Sequence, residues 1–428
     1  MKKIITSAGL VALGAASMQA QYAPAPQLTS FQTTKPWSVS ATLRGFYDDN
    51  YVTRPSQSPS GLSKQDSFGF EVSPALGLNW VLPQTYIGLS YVYGLRYYED
   101  RESDTADHTH QADLKLSHTF TERYKLDVSD SFAAAQEPEL LAKPGAGIPV
   151  PIRVEGNNIR NTANIDLTAG LTEQLGAMLG YSNSFYDYEK EGIGALSALL
   201  DRMEHLFTVN GRWQALPSTV GILGYQYGTT SYDEDQILGL AFTPAGLVAV
   251  PSDARDSTSH YVYVGADHSF NPQLNASARL GAQVTEYDNV DDSQVNPYAD
   301  TSLTWTYNPG SYLQLGVRHM RLATDIAFIT AMTPTLDQEA TTVYSTLNHR
   351  ITPQLNGNLV AQFQHAAFES GGANNQKEDL FLLGLNLSYE INKFITTEVG
   401  YNFDRLDSDL TDRSFSRNRV YVGVRATY

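Results

Sequence analysis

Few residues of this chain have the types and spacing that catalysis or metal binding would need. His108 and His110 lie two positions apart, so that both imidazoles face the same way in an extended segment. Two aspartates precede them, but no further ligand stands at a metal-site spacing. The chain has no Gly-x-Ser-x-Gly elbow, phosphate loop, His-Glu-x-x-His motif or cysteine. The sequence therefore predicts no enzyme, no metal site and no cofactor.

The remaining candidates are polar and charged side chains that alternate with apolar ones. Residues 85–98, 274–285 and 380–391 each place apolar side chains at every second position and mostly polar or small ones between. This period of two is that of a β-strand whose two faces meet different media. Long alternating strands must therefore position the charges.

Short turns and long loops alternate along the chain. Eight tight turns lie at 82–85, 120–123, 171–174, 216–219, 270–273, 307–310, 351–354 and 391–394. Nine longer acidic segments separate them, at 48–67, 99–109, 136–157, 189–202, 233–256, 288–296, 324–338, 369–378 and 406–415. This count predicts eighteen antiparallel strands. Short turns on one side and long loops on the other are typical of a transmembrane β-barrel with both termini in the periplasm.

A soluble β-sandwich would also alternate, but its strands are usually shorter than those predicted here.

The net charge argues against a nucleic-acid-binding protein. The chain has 29 Lys and Arg, two of them within residues 1–20, against 46 Asp and Glu. The formal charge of −17 becomes −19 without those twenty residues, which argues against nucleic-acid binding. No segment after residue 20 reaches the apolar length of a spanning helix.

The first twenty residues have the pattern of a secretory signal peptide. Lys2 and Lys3 precede a short apolar run that ends in small residues. We expect a signal peptide over 1–20, with cleavage after Ala20 or Ser17, a periplasmic segment over 21–36 and an outer-membrane barrel over 37–428.

The last nine residues form an unbroken alternating strand that stops on an aromatic carboxy-terminus. One face carries Val420, Val422, Val424, Ala426 and Tyr428. This strand resembles the signal that the barrel assembly machinery recognises. Together with the Phe46-to-Asn50 strand end and the turn at Pro83, it makes the chain similar to β-barrel porins of the diderm outer membrane. The resemblance implies an outer-membrane location and contact with lipid and lipopolysaccharide. Homotrimers are common among the porins that it resembles, but the sequence does not determine the oligomeric state.

If the apolar face meets lipid, charges of both signs line the water-filled lumen. The predicted pore-lining residues are Arg44, Lys115, Asp166, Arg279, Arg318 and Arg419. Alternatively, some of these charges only bridge neighbouring strands.

The third outer loop narrows the channel in the porins that this chain resembles. By that resemblance, the constriction residues are Glu137, Glu139, Lys143, Arg153 and Glu155. The apolar loop 236–251 is a second candidate for this role, and 193–202 has the pattern of a short helix. An ordinary outside loop would explain residues 136–157 equally well.

The outer ends of several strands carry an aromatic residue followed by acids, as at Tyr232-Asp233-Glu234-Asp235. Such a rim either stays solvated or bridges lipopolysaccharide through divalent cations. In both cases it favours cations. We therefore expect a passive channel for small hydrophilic solutes with a modest cation preference. The alternative is a closed barrel that serves as an adhesin, receptor or anchor.

Overall fold

The computed structural model describes residues 36–56, 61, 63–102, 104–136, 156–244, 246–330 and 332–428. The signal peptide and nearly all of the periplasmic segment predicted from the sequence lie outside these residues. In the described part, eighteen strands form one closed antiparallel barrel, as predicted.

The barrel strands are numbered in chain order together with one hairpin inserted in a loop. Their bounds are β1 Trp37–Asp48, β2 Ser67–Val81, β3 Thr85–Tyr98, β4 Ala106–Thr121, β5 Tyr124–Ala135, β6 Asn158–Gly170, β7 Leu175–Tyr188, β8 Arg202–Leu216, β9 Thr219–Tyr232, β12 Ser257–Asn271, β13 Leu274–Tyr287, β14 Ser293–Asn308, β15 Ser311–Leu322, β16 Asp337–Arg350, β17 Leu355–Glu369, β18 Lys377–Asn392, β19 Ile395–Ser408 and β20 Phe415–Thr427. Consecutive strands pair throughout, β9 pairs with β12, and β20 closes the barrel on β1 from Thr427 opposite Ser40 to Arg419 opposite Asp48.

All eight predicted short turns join two strands of the barrel. Several predicted loops are shorter than the sequence indicated, among them 406–415, because β19 continues to Ser408. β4 begins at Ala106 rather than after residue 109, because its first residues pair with the outer end of β3. β14 begins at Ser293 rather than after residue 296, because Ser293 pairs with Glu286 of β13.

The loop between β9 and β12 contains the remaining hairpin, β10 Ile237–Thr243 and β11 Gly246–Pro251, followed by a 3-10 turn at Ser252–Arg255. The helix expected within 193–202 is α1, Leu196–Leu200, in the loop between β7 and β8. A second 3-10 turn lies at Gly371–Ala373. None of the described helices has the length and apolar run needed to cross a membrane.

Alternation sorts the two faces of the barrel wall as the sequence predicted. Leu43, Leu223 and Val422 are exposed on the outer face, whereas Arg44 and Tyr421, their neighbours in sequence, are buried on the inner face. Apolar side chains such as these therefore face lipid, while Arg44 and the ring of Tyr421 face the lumen.

Candidate functional site: the lumen cavity and its outer loops

A cavity of about 480 Å³ lies in the outer half of the lumen. Its wall consists of inward side chains of β5 to β9 and β12 to β16, and most of these are hydroxyl, amide or tyrosine groups. Leu322, Ala323, Leu336 and Arg255 contribute from the outer-loop end. A volume of this size suits a small solute.

The charges on the cavity wall balance. Arginines and carboxylates are present in equal number: Arg160, Arg255, Arg318 and Arg321 with Asp166, Glu204, Asp300 and Asp337. Several of these groups are paired, as in the 2.9 Å contact of Arg318 Nη2 with Asp300 Oδ2. Charges of both signs around water orient polar solutes and disfavour apolar ones.

Arg255 joins three outer segments above the cavity. Its side chain is almost completely buried and donates to the carbonyl oxygens of Thr324, Ala198 and Leu199, in the loops after β15 and β7. The guanidinium also lies over the ring of Tyr232, at 4.3 Å from the centroid. Burial lowers the pKa of Arg255. Because carbonyls rather than a carboxylate hold it, this cation ties the loops together while keeping its charge.

The predicted pore-lining residues occupy two kinds of position. Asp166 and Arg318 lie on the cavity wall. Arg279 is partly exposed on the inner face and contacts Asp267 at 2.8 Å, and Lys115 is half-buried on the inner face of β4.

Arg44 and Arg419 lie on the inner face but are packed in ion pairs with neighbouring strands. Arg44 contacts Glu71 at 3.1 Å and Glu398 at 2.5 Å, and Arg419 contacts Asp48 at 2.6 Å. These two arginines therefore bridge strands, which was the alternative role for such charges.

The five predicted constriction residues, from Glu137 to Glu155, lie outside the described residues. The ends of β15 and β16 contribute Met320, Arg321, Leu322 and Asp337 to the cavity wall. The sequence did not indicate them, because alternation assigns a face within a strand but says nothing about a strand that leaves the sheet.

The two histidines singled out from the sequence face outward. His108 accepts or donates through Nδ1 to the Tyr93 hydroxyl at 2.8 Å, and His110 does the same with Tyr91. All nine histidines lie on the outer face of the wall, each with Nδ1 within 2.9 Å of a hydroxyl or carboxylate. This partner is on the adjacent strand in every case except His349 of β16, whose partner is Tyr307 of β14. No group of three or more metal-ligating side chains occurs in the part of the chain that the structure describes.

The terminal strand has the face predicted for it. Val420, Val422, Val424, Ala426 and Tyr428 are all exposed on the outer face. Comparison with known families matches residues 248–428, which contain this strand, to the family described as "Putative beta-barrel porin 2". This chain forms an outer-membrane β-barrel. None of the curated proteins matches it in sequence.

Several solved outer-membrane proteins are similar to this chain over most of its length. OccAB4 of Acinetobacter baumannii is 14% identical, with 92% of this chain and 99% of that chain covered and a TM-score of 0.43. The protein opdK of Pseudomonas aeruginosa is 10% identical with the same coverages and a TM-score of 0.44. A BenF-like porin of Pseudomonas fluorescens Pf-5 is 11% identical, again with 92% and 99% covered, and a TM-score of 0.45. Similarities of this size carry no argument about the solute.

Proposed function

We propose that this porin is a passive channel for small hydrophilic solutes with a modest preference for cations. The observation that carries the proposal is the polar cavity inside the closed barrel. Its hydroxyl and amide lining exchanges hydrogen bonds with a hydrated solute, and its paired charges disfavour apolar ones. A porin-type barrel also favours a channel over an enzyme.

The cation preference rests on the outer mouth. The cavity charges balance, so that the interior favours neither sign. Exposed acids are concentrated in the outer loops, for example at Asp233, Glu234 and Asp235 and at Asp288 and Asp291. An acidic rim raises the local concentration of cations at the entrance. Because this effect acts through water, it weakens as salt shortens the Debye length from about 10 Å at 0.1 M to about 3 Å at 1 M.

Reversal potentials across a salt gradient in planar bilayers test the proposal. We expect a cation-selective sign that diminishes as the salt concentration rises. An anion-selective sign would contradict the preference. Absence of conductance from folded protein would favour the closed adhesin, receptor or anchor.

The same recordings test the third outer loop as the constriction. Deletion of residues 140–151 should raise the single-channel conductance, and an unchanged conductance would remove this loop from the constriction. Trimerisation and recognition of the terminal strand by the barrel assembly machinery are further proposals, and they rest on the resemblance to porins.

A further inference from the structure

The backbone ladder between β14 and β15 ends before the two strands do. Its outermost pair is Ala299 with His319. β14 continues outward to Ser293 and pairs only with β13 there, while β15 continues to Leu322 and pairs only with β16. In these described segments the barrel wall therefore has a gap at its outer end, between 293–298 and 320–322.

Hydrogen bonds that involve side chains, rather than a backbone ladder, hold the gap together. The backbone N–H of Arg321 donates to Gln283 Oε1 of β13 at 3.0 Å, which places the end of β15 behind β14, on the lumen side. Arg321 Nη1 donates to Asn296 Oδ1 of β14 at 2.8 Å. The same guanidinium pairs with Asp337 of β16, through Nε at 2.7 Å and through Nη2.

Two further hydrogen bonds join the same strands. We call the bonded side chains of Gln283, Tyr287, Asn296, Arg321, Asp337 and Glu339 the latch. Tyr287 Oη donates to Asp337 Oδ2 at 2.6 Å. Asn296 Nδ2 donates to Glu339 Oε2 at 2.7 Å, and Glu339 in turn lies 3.0 Å from His319 Nε2. Glu369 is also within 3.7 Å of Arg321. The latch groups can exchange these partners with water, unlike a ladder buried in lipid, where every backbone group must stay paired.

The gap separates the cavity from the lipid face. On the inner side, Tyr287, Tyr298, Met320, Arg321, Leu322 and Asp337 all belong to the cavity wall. On the outer side, Val295 is 70% exposed, and Pro297 is exposed and has no backbone N–H to pair. The gap is thus apolar on its lipid side, whereas its lumen side combines the apolar Met320 and Leu322 with polar groups.

We propose that this gap is a lateral portal through which small apolar or amphiphilic molecules pass between the lumen cavity and the outer leaflet. The polar part of an amphiphile contacts the hydroxyl and amide groups of the cavity, while its apolar part passes between Val295 and Met320. Opening requires the breaking of side-chain bonds around Arg321 and Asp337, but no ladder between β14 and β15. This activity goes beyond axial diffusion of hydrophiles.

The native chain has no cysteine, so a reversible cross-link across the gap tests the portal directly. The variant Asn296→Cys with Arg321→Cys removes the bonds that Asn296 and Arg321 make in the latch, and the two thiols are then bridged by a short bifunctional methanethiosulfonate. The matched control is Thr301→Cys with Val317→Cys, a pair that lies opposite within the intact ladder. The measurement is entry of the apolar dye N-phenylnaphthylamine into the membranes of intact diderm cells, whose outer leaflet excludes it.

We expect the unbridged gap variant to admit the dye several-fold faster than the native porin. The bridge should reduce entry to the level of cells without the porin, dithiothreitol should restore it, and bridging the control pair should change nothing. Dye entry that is unaffected by the bridge would overturn the portal. Axial conductance is recorded separately and should persist in both bridged variants. Failure of the channel proposal, which abolishes conductance, is therefore distinguishable from failure of the portal proposal, which leaves dye entry unaffected by the bridge.

A single substitution, Asp337→Asn, tests the portal if the double variant fails to fold. Asp337→Asn keeps the shape and the acceptor for Tyr287 but removes the charge that pairs with Arg321. It should raise dye entry several-fold in folded, heat-modifiable protein. Entry equal to that of the native porin would contradict the latch.

Discussion

Two aspartates at the outer end of the barrel occupy equivalent positions. Asp201, just before β8, accepts a hydrogen bond from the backbone N–H of Tyr188 at the end of β7, at 2.7 Å. Asp256, just before β12, accepts the equivalent bond from Tyr232 at the end of β9, also at 2.7 Å. Each carboxylate ties together the two ends of a long loop. Burial, with nearby acids, raises the pKa of Asp201 to about 7 and that of Asp256 to about 6.

The loop that contains α1 should therefore open more readily as the pH rises. Burial and the charges of Asp187 and Asp233 raise the folded pKa of Asp201 above its unfolded value of about 3.9, while the Tyr188 N–H and Arg202 oppose this. Between those two pKa values only the folded state holds the proton, so stability falls as the pH rises towards 7 and is constant above it. Amide exchange of residues 196–202, corrected for intrinsic rates, should show several-fold lower protection at about pH 8 than at about pH 5.

Asp201→Asn is the control for this prediction, because the amide keeps an acceptor for Tyr188 but cannot ionise. In this variant, amide-exchange protection of the α1 loop should lose most of its pH dependence. Protection of the loop before Asp256 should keep its pH dependence. Equal protection of the native loop at both pH values would refute the role of Asp201.

At the level of single residues, alternation predicted which face a strand residue takes but not what it contacts. The histidines show the difference: the alternation of β4 assigns His110 to the lipid side, whereas its Tyr91 partner depends on the register with β3. Arg255 could not be predicted at all. It lies in a loop without periodicity, and its partners are carbonyls far along the chain.

At the level of strands, glycines face inward aromatic rings across the ladder. Gly400 lies opposite Tyr421, Gly224 opposite Tyr263 and Gly316 opposite Tyr344. A Cβ on Gly400 would lie 2.1 Å from Cζ of Tyr421. That ring cannot easily move away, because Arg44 lies 4.8 Å from its centroid and Asn386 donates to its hydroxyl at 2.8 Å. Because glycine has no Cβ, the ring can pack directly against the backbone of the barrel wall.

Gly400→Val should destabilise the barrel. Overpacking of a fixed site costs about 1–3 kcal/mol, and here the displaced ring also strains the contacts to Arg44 and Asn386. Denaturant titration of protein in lipid vesicles measures the loss in free energy of unfolding. The control is Gly45→Val on the lipid face, where a Cβ meets no atom within 4 Å. A Gly400 variant as stable as the Gly45 variant would show that the ring has room to move.

Strand number and turns were predictable because each short turn has a local residue signature and each strand alternates. The hairpin formed by β10 and β11 was not predicted as a hairpin, although residues 236–251 stood out as apolar. Its buried side, Leu238, Ala241 and Val250, packs on other outer loops. Such contacts depend on the closed barrel that brings those loops together, which no local pattern specifies.

At the level of the whole molecule, the two ends of the chain are joined by a row of ion-paired charges, in which Glu398 pairs with both Arg425 and Arg44. Five strands in succession, β19, β20, β1, β2 and β3, contribute Glu398, Arg425, Arg44, Glu71 and Arg96. The contacts that link them measure between 2.5 and 3.3 Å. Buried ion pairs add little net stability, but a shift in register would leave a charge unpaired at high cost. We infer that this row specifies the register in which β20 meets β1.

Tyr428 completes that closure at the periplasmic end. Its backbone N–H donates to Val39 O at 2.8 Å, and its carbonyl accepts from Val39 N at 3.2 Å. The ring is 67% exposed on the outer face and lies 5.9 Å from that of Trp37. Tyr428 therefore forms the last backbone pair of the ladder, with Val39, and also provides an aromatic anchor at the membrane interface.

Deletion of Tyr428 should reduce the yield of heat-modifiable, folded protein in the outer membrane several-fold, because it removes the ring and the last backbone pair together. Tyr428→Ala keeps the backbone pair and separates the two contributions, so a yield as low as that of the deletion would assign the effect to the ring. Tyr428→Phe keeps the aromatic anchor and should restore most of the native yield. An unchanged yield after deletion would show that β20 closes on β1 without its terminal aromatic residue.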